Sequence, residues 1–118
     1  MPRPIRILSD PILAESDGGT VAVCPCCGNP ILQFGDSRVT LQPHQLRAML
    51  ATVREVAGAA EQHGACWGWS LRARTRSEDV TFRLLSSEAA DLENLLEAAA
   101  AALDLDALLY DVLTEDPV

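Results

Sequence analysis

Arg38-Val39-Thr40-Leu41-Gln42-Pro43-His44-Gln45-Leu46 is the stretch that decides the fold, because it changes from a strand pattern to a helix pattern. Val39 and Leu41 alternate with polar residues, as the residues on one face of a strand do. Pro43 stands at the expected first helical position, where the missing N–H of proline has no cost. We therefore predict a strand followed by an amphipathic helix that ends at Gly64. The apolar stripe of this helix consists of Leu46, Met49, Leu50, Val53, Val56, Ala57 and Ala60.

The residues before this stretch predict an antiparallel hairpin that begins after an irregular segment. Residues 1–19 contain three of the chain's prolines and the turn-forming run Ser16-Asp17-Gly18-Gly19, so we expect at most a short strand at residues 5–8. Strands are predicted at residues 20–23 and around 31–34, with a turn at Gly35-Asp36 leading into residues 38–42.

The second half of the chain repeats the pattern of the first. Trp67, Trp69, Leu71 and Ala73 alternate with Gly68, Ser70, Arg72 and Arg74, which predicts a strand whose tryptophans point into the core. A turn at residues 75–79, a strand at residues 80–84 and a helix that begins at Ser86 or Ser87 follow. The helical stripe loses its phase at Asp104, so a separate short helix is predicted at residues 105–114.

These elements predict an α+β fold with two β-β-α halves. The halves cover about residues 20–63 and 66–103 of a single domain at residues 20–118. The expected architecture is a two-layer sandwich, with one antiparallel sheet, both main helices on one of its faces and a pseudo-two-fold axis. The matching order of elements suggests an internal duplication.

Composition narrows the range of partners. The formal net charge is −8 in 118 residues, and this disfavours nucleic acid as a partner because phosphate is repelled. All positive charges are arginines, and Arg72, Arg74, Arg83 and Arg38 are expected on the solvent-facing side of the sheet. No apolar run is long enough to cross a bilayer, and the start Met1-Pro2-Arg3-Pro4-Ile5-Arg6 lacks the apolar core of a signal peptide. We therefore expect a cytoplasmic protein with no membrane partner, whose cysteines stay reduced.

The run Cys24-Pro25-Cys26-Cys27-Gly28 has the spacing of a metal-binding knuckle. Two thiolates three residues apart in a tight turn can bind one ion, and zinc in structural sites takes four ligands. His63 and Cys66 form a second pair with the same spacing. We therefore predict a structural zinc site on Cys24, Cys27, Cys66 and His63.

Other uses of the same residues stay open. Cys66 is also explained as a buried apolar side chain, and His63 as a favourable group at a helix C-terminus. Cys24 and Cys27 could form a redox pair, although thioredoxin-type motifs precede a helix and a strand is predicted here. No motif supports a catalytic nucleophile, so no catalytic residues are predicted and the chain is expected not to be an enzyme.

The segments that carry a resemblance to known proteins are the cysteine knuckle, Phe34-Gly35-Asp36, Val39-Thr40-Leu41 and Leu92-Glu93-Asn94-Leu95-Leu96. Through them the chain resembles a family of short, uncharacterised bacterial proteins with an N-terminal C-x-x-C. The resemblance implies no assigned activity. The function expected from the sequence is a zinc-stabilised interaction or accessory module with a protein partner. The alternatives are a metal-free adaptor that binds protein or itself, and a thiol-redox or iron/haem-handling protein.

Overall fold

The computed structural model of the chain describes residues 12–64 and 67–114, which form six strands and two helices. The elements follow one another as β1 (Ile12–Glu15), β2 (Gly19–Val23), β3 (Pro30–Phe34), β4 (Ser37–Thr40), α1 (Pro43–His63), β5 (Gly68–Arg74), β6 (Asp79–Leu85) and α2 (Ser86–Thr114). The predicted hairpins and both main helices are therefore present, and the α+β class is confirmed.

The strands form two antiparallel ladders rather than one continuous sheet. β1, β2, β3 and β4 pair in that order, and β5 pairs with β6. β4 lies beside β6, where the Thr40 N–H donates to the Glu78 carboxylate at 3.0 Å and the Ser37 hydroxyl donates to the Thr81 carbonyl at 3.3 Å. Hydrogen bonds of the Ser37 and Glu78 side chains thus join the two ladders at the place where a continuous sheet was expected.

The apolar core lies between the strands and the two helices. α1 packs along α2, and α2 also contacts β1, β2 and β6. Alternate positions of β5 and β6 are buried, as predicted from their period of two. The largest fully buried side chains come from both halves of the chain, and they are Phe82, Leu32, Leu46, Leu92, Leu95, Leu96, Val21, Val39 and Val53.

The prediction that residues 1–19 are irregular is wrong for the part that the structure describes. Ile12–Glu15 forms β1, which pairs with β2 and buries Ala14. The two strands turn at residues 16–18. The strand expected at residues 5–8 lies outside the described residues. The first half therefore contributes four strands and the second half two.

The predicted break at Asp104 is also wrong, because α2 continues from Ser86 to Thr114. No Gly or Pro interrupts this segment, so nothing in the backbone stops the helix. Asp104 and Leu105 are exposed, and Leu105 keeps 56% of its surface open to solvent. The stripe therefore loses its phase where α2 becomes exposed at residues 104 and 105. In the described part of the chain, neither helix has the length and apolarity that crossing a bilayer requires.

Gly19 provides the first test of the fold. A Cβ atom at Gly19 would lie 1.9 Å from the backbone oxygen of Gln33 on the paired strand β3. We expect Gly19→Ala to lower the free energy of unfolding by about 1–3 kcal/mol, as other overpacking substitutions do. Gly58→Ala is the matched control, since its Cβ meets nothing within 4 Å in helix α1. The control should raise stability by about 0.5–1 kcal/mol in urea denaturation. Equal effects of the two substitutions would contradict this packing.

Candidate metal site at the cysteine knuckle

The cysteine knuckle, residues Cys24–Gly28, connects β2 to β3 and is closed by two backbone hydrogen bonds. The Gly28 N–H donates to the Cys24 carbonyl at 2.8 Å, and the Cys24 N–H donates to the Asn29 carbonyl at 2.8 Å. Gly28 has a φ of +77°, a left-handed conformation that glycine adopts without strain. The sequence therefore folds locally into the tight turn that the cysteine spacing predicts.

The tight turn lowers the pKa of the Cys24 thiol. The causes, in order of size, are hydrogen bonding to the backbone N–H of Cys27, then to that of Cys26, and then to the Cys27 side chain. These donors stabilise the thiolate and hold the pKa of the Cys24 thiol below its ordinary value. Partial burial acts in the opposite direction and does not reverse the shift. A thiolate is the form that binds metals, so this turn favours the reactive form of Cys24.

The knuckle is open to solvent and its thiols are not in disulfides. Cys24 is half-buried, whereas Cys26, Cys27 and the residues around them are exposed. β3 begins at Pro30 directly after the turn. The knuckle thus lies between two strands and not at a helix N-terminus, which is where thioredoxin-type motifs have their cysteines.

A surface depression beside the knuckle carries positive charge. Cys27, His44, Arg74 and Arg76 are among the residues that line it, and no carboxylate lines it. His44 is the second residue of α1, and the two arginines come from the end of β5 and the turn after it. Only the folded chain brings these segments together, and no local sequence signal indicated that His44 or the arginines would lie near the knuckle.

His63 lies at the other end of α1 from the knuckle. Leu41, two residues before α1, donates its N–H to the Pro30 carbonyl, so the start of α1 is beside the knuckle. His63 is the last residue of this helix, about 30 Å further along its axis at 1.5 Å per residue. The described residues therefore do not bring His63 to Cys24 and Cys27.

Cys66, the remaining predicted ligand, lies outside the described residues. Within residues 12–64 and the part described from Trp67 onward, no three His, Cys, Asp or Glu side chains are placed to hold one metal ion. Of the three predicted ligands that the structure describes, Cys24 and Cys27 lie on one turn and His63 lies apart from them.

His63 belongs instead to an aromatic patch at the end of α1, which we define as His63, Trp67, Trp69 and Leu85. The His63 ring stacks on Trp67 at 4.6 Å between centroids and meets Trp69 edge-on at 5.7 Å. The prediction that Trp67 points into the core is wrong, because Trp67 precedes β5 and is 50% exposed. Trp69 is half-buried and donates its indole N–H to the Ser86 hydroxyl at 2.8 Å. Leu85 is 46% exposed.

The arginines expected on the open face of the hairpin are exposed but partly neutralised. Arg72 donates to both oxygens of Asp79 at 2.8 and 2.5 Å, and Arg74 lies 3.6 Å from the same carboxylate. The hydrogen bond from Arg72, followed by the charges of Arg72 and Arg74, lowers the pKa of Asp79 to about 2. The carboxylate therefore stays ionised at neutral pH and reduces the positive potential of this face.

Comparison with known proteins adds no assignment, since no protein-family description, curated protein or solved structure matches the chain. The resemblance to short bacterial proteins stays a prediction, and a functional assignment has to be argued from the geometry of the sites described above.

Gly28 allows the knuckle conformation to be tested. Gly28→Ala should lower the free energy of unfolding by about 1–2 kcal/mol, because a Cβ is disfavoured in the left-handed region. Nothing lies within 4 Å of the Cβ position, so the effect would come from the backbone and not from a clash. Gly28→Asn is the matched control, since asparagine adopts this conformation more readily than alanine. If urea denaturation finds Ala no worse than Asn, the left-handed turn is contradicted.

Proposed function

We propose that this chain is a non-catalytic interaction module whose cysteine knuckle binds one zinc ion through Cys24 and Cys27. The observation that carries the proposal is the tight turn in which the Gly28 N–H donates to the Cys24 carbonyl at 2.8 Å and Gly28 is left-handed, since this turn holds Cys24 and Cys27 three residues apart. Hydrogen bonding within the turn holds the pKa of the Cys24 thiol below its ordinary value, which favours the thiolate form that metals bind. Zinc–thiolate sites occupy the same kind of tight turn.

Charge and compartment support the same proposal. Arg76 lies beside the knuckle, as does Arg74, whose charge Asp79 partly neutralises, and positive charge close to a thiol favours its thiolate form. We place the protein in the cytoplasm, since free thiols persist in a reducing compartment. The thiols would lose their protons on binding, so the affinity for zinc should rise with pH.

The proposal is tested by the zinc content of purified, untagged protein. We expect the wild type to retain zinc through gel filtration, and we expect Cys24→Ser and Cys27→Ser to lose it. Cys26→Ser is the matched control within the same turn and should retain zinc, because Cys26 lies between the two proposed ligands. A strong chelator should lower the melting temperature of the wild type but not that of Cys24→Ser. Wild-type protein without zinc, and with an unchanged melting temperature in chelator, would overturn the proposal.

A specific observation favours one alternative, a metal-free adaptor that associates with itself. The aromatic patch exposes Trp67 and Leu85, and large apolar side chains grouped on a surface are typical of protein contacts. The backbones of the two residues are neighbours, because the Ser86 N–H donates to the Trp67 carbonyl at 2.8 Å and Gly68 pairs with Leu85.

This alternative predicts dimers that survive metal removal. Light scattering in chelator should then find the wild type dimeric and the double variant Trp67→Ser, Leu85→Ser monomeric. Leu105→Ser is the control, because Leu105 is also exposed but lies on the far part of α2. A monomeric wild type in chelator at high protein concentration would exclude self-association through the patch.

A further inference from the structure

A structural zinc site needs four ligands, and the described part of one chain supplies two. Cys24 and Cys27 provide two sulfurs on the same turn. Tetrahedral zinc requires two more donors at about 2.0–2.3 Å from the ion. The remaining question is where those donors come from.

Neither histidine of the chain completes the zinc site together with Cys24 and Cys27. His63 lies at the far end of α1 and packs against Trp67 and Trp69. His44 lines the same depression as Cys27, yet it forms no three-donor group with the knuckle cysteines. No carboxylate lines that depression. Among the described residues, the site is therefore incomplete in a single copy.

The position of the knuckle makes it accessible to another molecule. Pro25, Cys26, Cys27 and Gly28 are all exposed at the connection between β2 and β3. The exposure of these residues leaves the turn accessible to a second turn of the same kind. Two knuckles related by a two-fold axis would present four sulfurs to one ion, and closed two-fold dimers are the commonest protein assemblies.

The charge beside the knuckle favours contact between two knuckles, although the net charge of the whole chain opposes it. One Zn²⁺ with four thiolates carries a net charge of −2, because the ion contributes +2 and the sulfurs −4. Arg76 of each copy would lie beside this anionic centre, as would Arg74, whose charge Asp79 partly neutralises. The net charge of −8 on each chain repels the two copies elsewhere, so contact through the knuckles places the positive parts of both molecules together.

We infer that one zinc ion joins two copies of this chain, each supplying Cys24 and Cys27, so that the site is complete only in the dimer. This inference rests on the proposed function and specifies how its site is completed. No electrons are transferred: four zinc–sulfur bonds form, each bound thiol releases its proton to water or buffer, and the water ligands of zinc leave.

The test is a zinc titration of the metal-free full chain, followed by light scattering and metal analysis. We expect the mass to double from 12.7 kDa as zinc is added, with saturation at one zinc per two chains. Chelator should return the protein to monomer. Cobalt(II) in place of zinc should give the intense charge-transfer and visible absorption of a tetrahedral four-thiolate site.

Variants separate this inference from the proposed function. Cys27→Ser should stay monomeric at all zinc concentrations, whereas Cys26→Ser and His44→Ala should still dimerise. One zinc per monomeric chain would overturn the inference and leave the proposed function standing. A dimer that persists in chelator would also overturn it, since the contact would then lie elsewhere. No zinc binding at any concentration would overturn both.

Discussion

The contact on which the architecture depends joins the last helix to the first turn of the described chain. Asp91 on α2 accepts hydrogen bonds from the Ser16 hydroxyl at 2.9 Å and from the Gly18 N–H at 3.0 Å, across 75 and 73 residues. The approach is close, because a Cβ at Gly18 would lie 2.6 Å from the Phe34 ring and 2.8 Å from the Asp91 carboxylate. Small residues in this turn therefore allow α2 to cover β1 and β2, which extends the sheet beyond the predicted hairpins.

The same arrangement separates the two surfaces that can carry a function. α1 spans the domain, with the cysteine knuckle and His44 near its start and the aromatic patch around His63 at its end. Ligands at opposite ends of a helix of 21 residues cannot share one ion. Each of the two surfaces is instead accessible to another molecule. The knuckle is exposed between β2 and β3, and the aromatic patch exposes Trp67 and Leu85. This geometry is the reason for locating the proposed zinc site between two copies.

Errors in the sequence-based predictions arose where burial was inferred from pattern alone. Trp67 continues the alternation of β5, but it precedes the strand and stacks on His63, so its ring is half exposed. The stripe of α2 loses its phase at Asp104, where the helix is exposed, and helix propensity continues the helix to Thr114. β1 was missed because a short strand beside Pro11 has little pattern of its own, and its pairing with β2 stabilises it.

What the sequence determined by itself is local: the hairpin at Gly35-Asp36, helix α1 from Pro43 to its stop at Gly64, the burial pattern of β5 and β6, and the tight turn at Cys24–Gly28. Each depends on residues only a few positions apart, whose spacing and backbone preferences act within the segment. The tertiary structure alone decided that β4 lies beside β6, that Asp91 fastens the first turn, and that His63 is remote from the knuckle. Those distances follow from how rigid elements pack around a shared core, and sequence spacing does not encode them.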